Sequence, residues 1–396
     1  MIELVARPRV RLAGPRAEPL LVAFVRRLDW VLMTAALALV GYGLWVVSGI
    51  TRFDVPGDPN YHVTRQAIAA AVGLVGLVVA VAMPLDLARR HWRIVYCATL
   101  ALMIIVFLAA ETVRGSRRWI DLGPFQFQPS ELGKVLFVMA LAGFLLERGG
   151  RVTRWRVTAQ AIGLGLAPIM LVFLQPDLGT ALVYGAALIA VLFFVGMRWK
   201  QLVALIASVV FLAVSVVSIL PAAGIEVLKP YQAERVAGFL DPGRDPSDTT
   251  WNATQSITAV GAGGLTGRGV LEASQTRLDY LPEHATDFAF ASLAEQRGFV
   301  GCAILLLLYL LVVWRGLRVA TVAGDLFGAV VAGGLVFALL FQVFVNVGMT
   351  MGVAPVTGIP LPFVTVGGSS LVTNLVLIGV LQGIHARGLL AQRQAP

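Results

Sequence analysis

Residues 279–298, DYLPEHATDFAFASLAEQRG, gather four carboxylates, a histidine and an arginine between apolar stretches. Asp287 follows Thr286 and heads the apolar run FAFASLAEQRGFVG. A carboxylate carried to the mouth of a cavity by apolar chain is partly desolvated, which raises its pKa and suits it to accept a proton. The same Asp could instead cap a helix start. Glu295 and Arg297 are read as the rim of that mouth. Two more places put charge beside long apolar runs, where each charge costs at least a few kcal/mol and invites a named partner. In QPSELGKVLF, Pro129 suits a first helical turn, and Glu131 and Lys134 stand three apart on one face. They either neutralise each other or meet a substrate. In LQPDLGTAL, Asp177 either caps the following helix, with Thr180 three residues on, or serves a site.

The elements that must position these groups are set by composition. The 396-residue chain is 58% hydrophobic and 13% charged, against about 25% charged in an ordinary soluble domain. It reads as an all-α polytopic membrane protein, because runs of roughly 17–25 apolar residues, enough to cross a bilayer core, recur along it. About ten transmembrane helices are expected, at 28–50, 66–84, 94–111, 129–147, 158–174, 178–197, 201–220, 298–316, 326–351 and 368–386. The first run is too long for a cleavable signal. Cytoplasmic loops keep Lys and Arg. With both termini cytoplasmic, the inner segments hold 19 of the 31 basic residues and the outer ones 16 of the 22 acids.

This gives a cytoplasmic basic tail at 1–27, a single transmembrane catalytic domain at 28–386 with a large outer loop between helices 7 and 8 (221–297), and a cytoplasmic tail at 387–396. The excess positive charge faces anionic membrane lipid, so no nucleic-acid partner is expected. Cys97 and Cys302 fall near opposite ends of their spans, too far apart for a disulfide.

Three outer segments depart from plain helix. Residues 112–128 place Arg114, Arg117 and Arg118 on the side that should lack them. Either anionic headgroups or an anionic substrate attracts them. Residues 352–367 hold Pro355, Pro360 and Pro362 and no charge, so they read as irregular re-entrant backbone walling a cavity, or as a turn on the lipid surface. The 221–297 loop is expected to form short interfacial helices around the glycine-rich GAGGLTGRG.

GSRRWIDLGPFQFQPSELGK, QPDLGTAL, RVAGFLDPGRDP, LPEHATDFAF and NVGMTMGVAPVTGIPLPFVTVGGSSLVTN occur in the order and spacing of the shape, elongation, division and sporulation (SEDS) family, which the chain resembles over about residues 28–386. The resemblance implies a peptidoglycan glycosyltransferase that polymerises lipid II on the outer face of the bacterial cytoplasmic membrane, beside a class B penicillin-binding protein, a transpeptidase. It places the catalytic aspartate at Asp287, important charges at Glu131, Lys134 and Asp177, and a motif tryptophan at Trp119, which could also anchor at the interface. The family usually has His directly before the Thr-Asp pair, whereas here His284 comes one residue earlier, before Ala285.

On this reading Asp287 is the base for a single inverting displacement. Arg117, Arg118 and Lys134 meet the leaving diphosphate, a divalent cation such as Mg²⁺ assists, and Ser369 and Ser370 offer hydroxyls or cap the last helix. The competing reading is a lipid II flippase, which needs a polar path through both leaflets and no base.

Overall fold

The computed structural model describes residues 25–394 except 110–117, 122–125, 150, 223, 225–232, 234–237 and 240–247. The helices are α1 (Trp30–Ile50), α2 (Tyr61–Ala82), the short α3 (Leu85–Arg90), α4 (Trp92–Ala109), α5 (Pro129–Glu147), α6 (Trp155–Leu174) and α7 (Leu178–Phe194), then α8 (Trp199–Val214), which runs on through a π turn at Ser215–Ile219. α9 (Asp248–Gly263) and α10 (Ser274–Arg277) follow, then α11 (Ala289–Val322), α12 (Leu326–Thr350) and α13 (Gly368–Gln394). Among the described residues, eight helices are long and apolar enough to cross a membrane, and α4 and α7 are shorter apolar ones. The chain is a multi-pass, all-α membrane protein.

Layering follows from what each helix can afford to expose to lipid. In α5, α12 and α13 between 72% and 89% of the apolar window is buried, whereas in α8, the most apolar of these eight, only 6% is. Helices carrying polar side chains therefore sit inside and the greasiest one sits outside, the inverse of a soluble core. The most extensive pairing is α2 with α13, where a Cβ on Gly379 would lie 2.4 Å from the carbonyl oxygen of Leu77. Small residues allow such backbone approach where apolar burial gives no drive against lipid.

At the basic end of the bundle, Asp29 caps α1 by accepting from Leu32 N at 3.0 Å and grips Arg315 of α11 through contacts of 2.6–3.1 Å. Gln382 of α13 brackets the backbone of Asp29 at 2.7 and 2.8 Å. This buried pair satisfies itself, so it marks helix register rather than a polar path.

The proline-rich stretch is irregular from 351 to 367 and buried through most of its second half. Its carbonyls are met by side chains from the surrounding helices: Gln342 donates to Pro360 O at 2.9 Å, Asn346 to Ile359 O at 2.7 Å, and Gln66 to Thr365 O at 2.9 Å. Irregular backbone at membrane depth needs such cover.

The apolar lead-in to the eighth span is itself helical, so α11 begins at Ala289 rather than near 298. Gly298 (φ 65°, ψ −163°) kinks it. Backbone groups freed by the kink pair with the GAGGLTGRG segment: Phe299 N with Gly264 O at 2.9 Å and Arg268 N with Glu295 O at 2.9 Å. Glu295 is not at a rim. It is fully buried and accepts from Gln275 N, Thr276 N and Thr276 Oγ1 at 2.7–2.9 Å, capping α10. Arg297 stacks over Trp45 with its guanidinium 4.3 Å from the ring centre.

A Cβ at position 298 would lie 2.4 Å from Gly267 N, in a φ/ψ region reserved for glycine. Gly298→Val should therefore cost at least about 1–3 kcal/mol from backbone strain alone, read as a lower melting temperature of the solubilised protein.

Candidate active site

A cavity of about 500 Å³ opens at the end of the bundle opposite the Asp29–Arg315 pair. Four helices present their first residues to it. α2 contributes His62, Arg65 and Gln66; Gln128 precedes α5; Asp177 and Thr180 start α7; and Gly368, Ser369 and Ser370 start α13. Helix N-termini carry partial positive charge and unpaired N–H groups, so their convergence favours an anion. A short antiparallel pair, β1 (Ile120–Asp121) with β2 (Gln126–Phe127), adds Gln126, and Arg118 and Trp119 lead into it.

Among the described residues, two cations and two carboxylates set the electrostatics of the wall. Arg118 lies 3.3 Å from Asp177 Oδ2 and 4.2 Å over the Trp119 ring, and its buried Nε has no hydrogen-bond partner among the described residues. Arg65 is the other cation. Both oxygens of Asp177 are engaged: it accepts from Gln128 Nε2 at 2.8 Å and, as the cap of α7, from Thr180 N at 3.0 Å. Capping and site membership thus coexist in one residue. Ser369 exchanges hydrogen bonds with the backbone of Gln128 at 2.9 and 3.2 Å, stapling α13 to α5, while Ser370 accepts from Asn374.

Asp287 is half-buried on the same wall. Asn346 Nδ2 holds its backbone carbonyl at 3.0 Å. Gly358 (φ 72°) passes so close that a Cβ there would lie 3.4 Å from Asp287 Oδ2. The re-entrant stretch thus lies beside the carboxylate, with Gly358, Pro360, Thr365, Val366 and Gly367 completing the wall.

Asp287, Arg118, Trp119, Asp177, Ser369 and Ser370 are brought together; Glu131, Lys134 and His284 are not among the lining residues. Lys134 is buried against Glu131 at 2.9 and 3.0 Å and donates to Gln342 Oε1 at 3.1 Å. This revises the expectation of a direct Lys134–diphosphate contact: its ammonium is already engaged, and among the described residues it is linked to the wall through Gln342 and the Pro360 carbonyl. His284 pairs with Asp54 instead. Arg114 and Arg117 lie outside the described residues. His62, Arg65 and Gln66 escaped the reading of residues. Their signal was the polar run YHVTRQ at the head of an apolar span.

The FtsW/RodA/SpoVE family profile, described as cell cycle protein, matches residues 27–388. The chain is 37% identical over 357 residues to the peptidoglycan glycosyltransferase MrdB of Escherichia coli K12, covering 90% of this chain and 94% of that one. It is 36% identical over 369 residues to the stage V sporulation protein E of Bacillus subtilis 168, covering 90% and 96%. Among solved structures it superposes on a chain of a peptidoglycan synthase complex that coordinates polymerization and crosslinking (TM-score 0.76, 32% identity, 90% and 97% covered). It also superposes on the Thermus thermophilus rod shape determining protein RodA (TM-score 0.65, 29% identity, 90% and 96% covered). With the match running nearly from end to end and the cavity assembled from the matched stretches, the chain belongs to the FtsW/RodA/SpoVE family.

Proposed function

We propose that the protein is a peptidoglycan glycosyltransferase that polymerises lipid II at the outer face of the bacterial cytoplasmic membrane. The observation that carries this reading is the placement of Asp287 on one cavity wall with Arg65, Arg118 and four helix starts. The names of the relatives support the activity. The likeness to a synthase complex supports a class B penicillin-binding protein as partner.

The acceptor's 4-hydroxyl oxygen attacks the anomeric carbon of the donor sugar. The bond from that carbon to the diphosphate breaks, its electron pair leaving on the phosphate oxygen, and the hydroxyl proton passes to Asp287. One in-line displacement converts an α-linked donor into a β-1,4 link, so a single base suffices. Arg118 and Arg65, with the helix starts, receive the charge that develops on the leaving diphosphate, where preorganised donors act most strongly. Among the described residues no three His, Cys, Asp or Glu side chains cluster as a metal cage, and both oxygens of Asp177 already have partners. A Mg²⁺ ion would therefore be held chiefly by the diphosphate oxygens it accompanies, adding positive charge there.

The test is to purify the protein with its transpeptidase, supply lipid II and Mg²⁺, and look for glycan polymer. Arg118→Gln should slow polymerisation about 10²-fold by removing a donor to the leaving group, with Arg118→Lys intermediate because charge remains but the fork is lost. An unchanged rate in Arg118→Gln would remove Arg118 from the mechanism.

A further inference from the structure

His284 is absent from the cavity lining, yet it is tied to it. Its side chain is 12% exposed, with Nε2 3.0 Å from Oδ1 of Asp54, a residue 230 positions earlier in the connection between α1 and α2. The other oxygen of Asp54 lies 3.8 Å from Nε2 of His62, which does line the cavity. Asp54 therefore bridges the head of α2 and the loop that ends in Asp287.

That loop needs holding. Asp279 and Glu283 sit at φ 57° and 54°, a left-handed conformation that non-glycine residues enter at a cost and keep only where their surroundings over-determine it. Several bonds contribute. Val366 N donates to Ala285 O at 2.9 Å, Ser292 Oγ to His284 O at 3.3 Å, and Thr286 Oγ1 to Glu283 Oε2 at 2.7 Å. The Asp54–His284 contact differs from these in joining the loop to a distant connection through a side chain that titrates near neutral pH.

We propose that Asp54 and His284 form a protonation-dependent latch that positions Asp287 at the cavity wall. Both are positioning residues, and the inference rests on the reading of Asp287 as the polymerisation base. Burial opposes charge on the His284 ring, but the hydrogen bond to Asp54 and the charges of Asp54 and Asp279 outweigh it, leaving the pKa above its ordinary value of 6.5. The charged groups facing the ring are Asp54 from the α1–α2 connection and Asp279 from its own loop, 3.5 Å from Nδ1. His62, with Arg65 beside it, faces the far oxygen of Asp54. Since the folded pKa is raised, the charged latch is complete below about 6.5 and released as pH climbs through the raised value.

The experiment measures polymerisation rate against pH for the complex with its transpeptidase, in wild type, Asp54→Asn, Asp54→Glu and His284→Gln. Wild type should lose rate on an alkaline limb set by His284. Asp54→Asn should shift that limb to lower pH and slow the reaction about 10- to 10²-fold, as expected for a misplaced reacting group. Asp54→Glu should restore much of both, and His284→Gln should erase the limb. The chain has four histidines, so isotope-labelled histidine NMR can follow the His284 ring directly. Its pKa should fall in Asp54→Asn even if that variant is inactive. An alkaline limb and a ring pKa unmoved by Asp54→Asn would overturn the latch. Wild type without polymer at any pH would instead overturn the functional reading on which it rests.

Discussion

Asp287→Asn should lower the rate of glycan polymerisation by about 10²–10⁴-fold, the usual contribution of a positioned base, while lipid II binding stays within a few-fold of wild type. Asn keeps the volume of the side chain and a hydrogen-bonding oxygen but cannot take a proton at neutral pH. The backbone carbonyl of Asp287 that holds Asn346 is untouched by the change. Asp287→Glu moves the carboxylate by about one bond length against a wall closed by Gly358, and should fall between the two. Initial rates of polymer formation, with equilibrium binding of lipid II as the control, separate loss of chemistry from loss of binding. Equal rates in Asp287→Asn and wild type would remove the base from the mechanism.

Lys134→Met should destabilise the protein by about 3–5 kcal/mol, the cost of leaving one member of a buried ion pair uncompensated. Glu131 is 1% exposed and Lys134 is its cationic partner at 2.9 Å. The double variant Glu131→Gln, Lys134→Met removes the stranded charge and leaves the unmet Gln342 Oε1, a smaller loss of about 1–3 kcal/mol. Its melting temperature should therefore lie above that of Lys134→Met, and it should polymerise lipid II. A double variant that folds but makes no polymer would show that Lys134 meets substrate after all.

Membrane architecture was legible because each spanning helix carries a long, predominantly apolar run, and the asymmetry of basic residues marks one end of the bundle. Among the site residues, Arg118, Asp177 and Asp287 could be named because they fall in recognisable motifs. The supporting pairings could not be read, for they join residues far apart in the chain: Lys134 with Gln342 across 208 positions, and His284 with Asp54 across 230. Glu295 looked like a rim residue because a carboxylate after an apolar run is usually exposed. Only the stacking of α10 on α11 explains its burial. His62 and Arg65 were hidden by hydropathy itself, which begins the second span at Gln66 and leaves the polar first turn of α2 outside it.

The most direct test of the account confines lipid II to the leaflet faced by Arg65, Arg118 and Asp287, in proteoliposomes that hold the protein with its transpeptidase and Mg²⁺. Glycan polymer should form in that leaflet with the wild-type protein and be lost with Asp287→Asn. Lipid II crossing the bilayer at equal rates with both proteins, and polymer from neither, would contradict the account and favour a transporter.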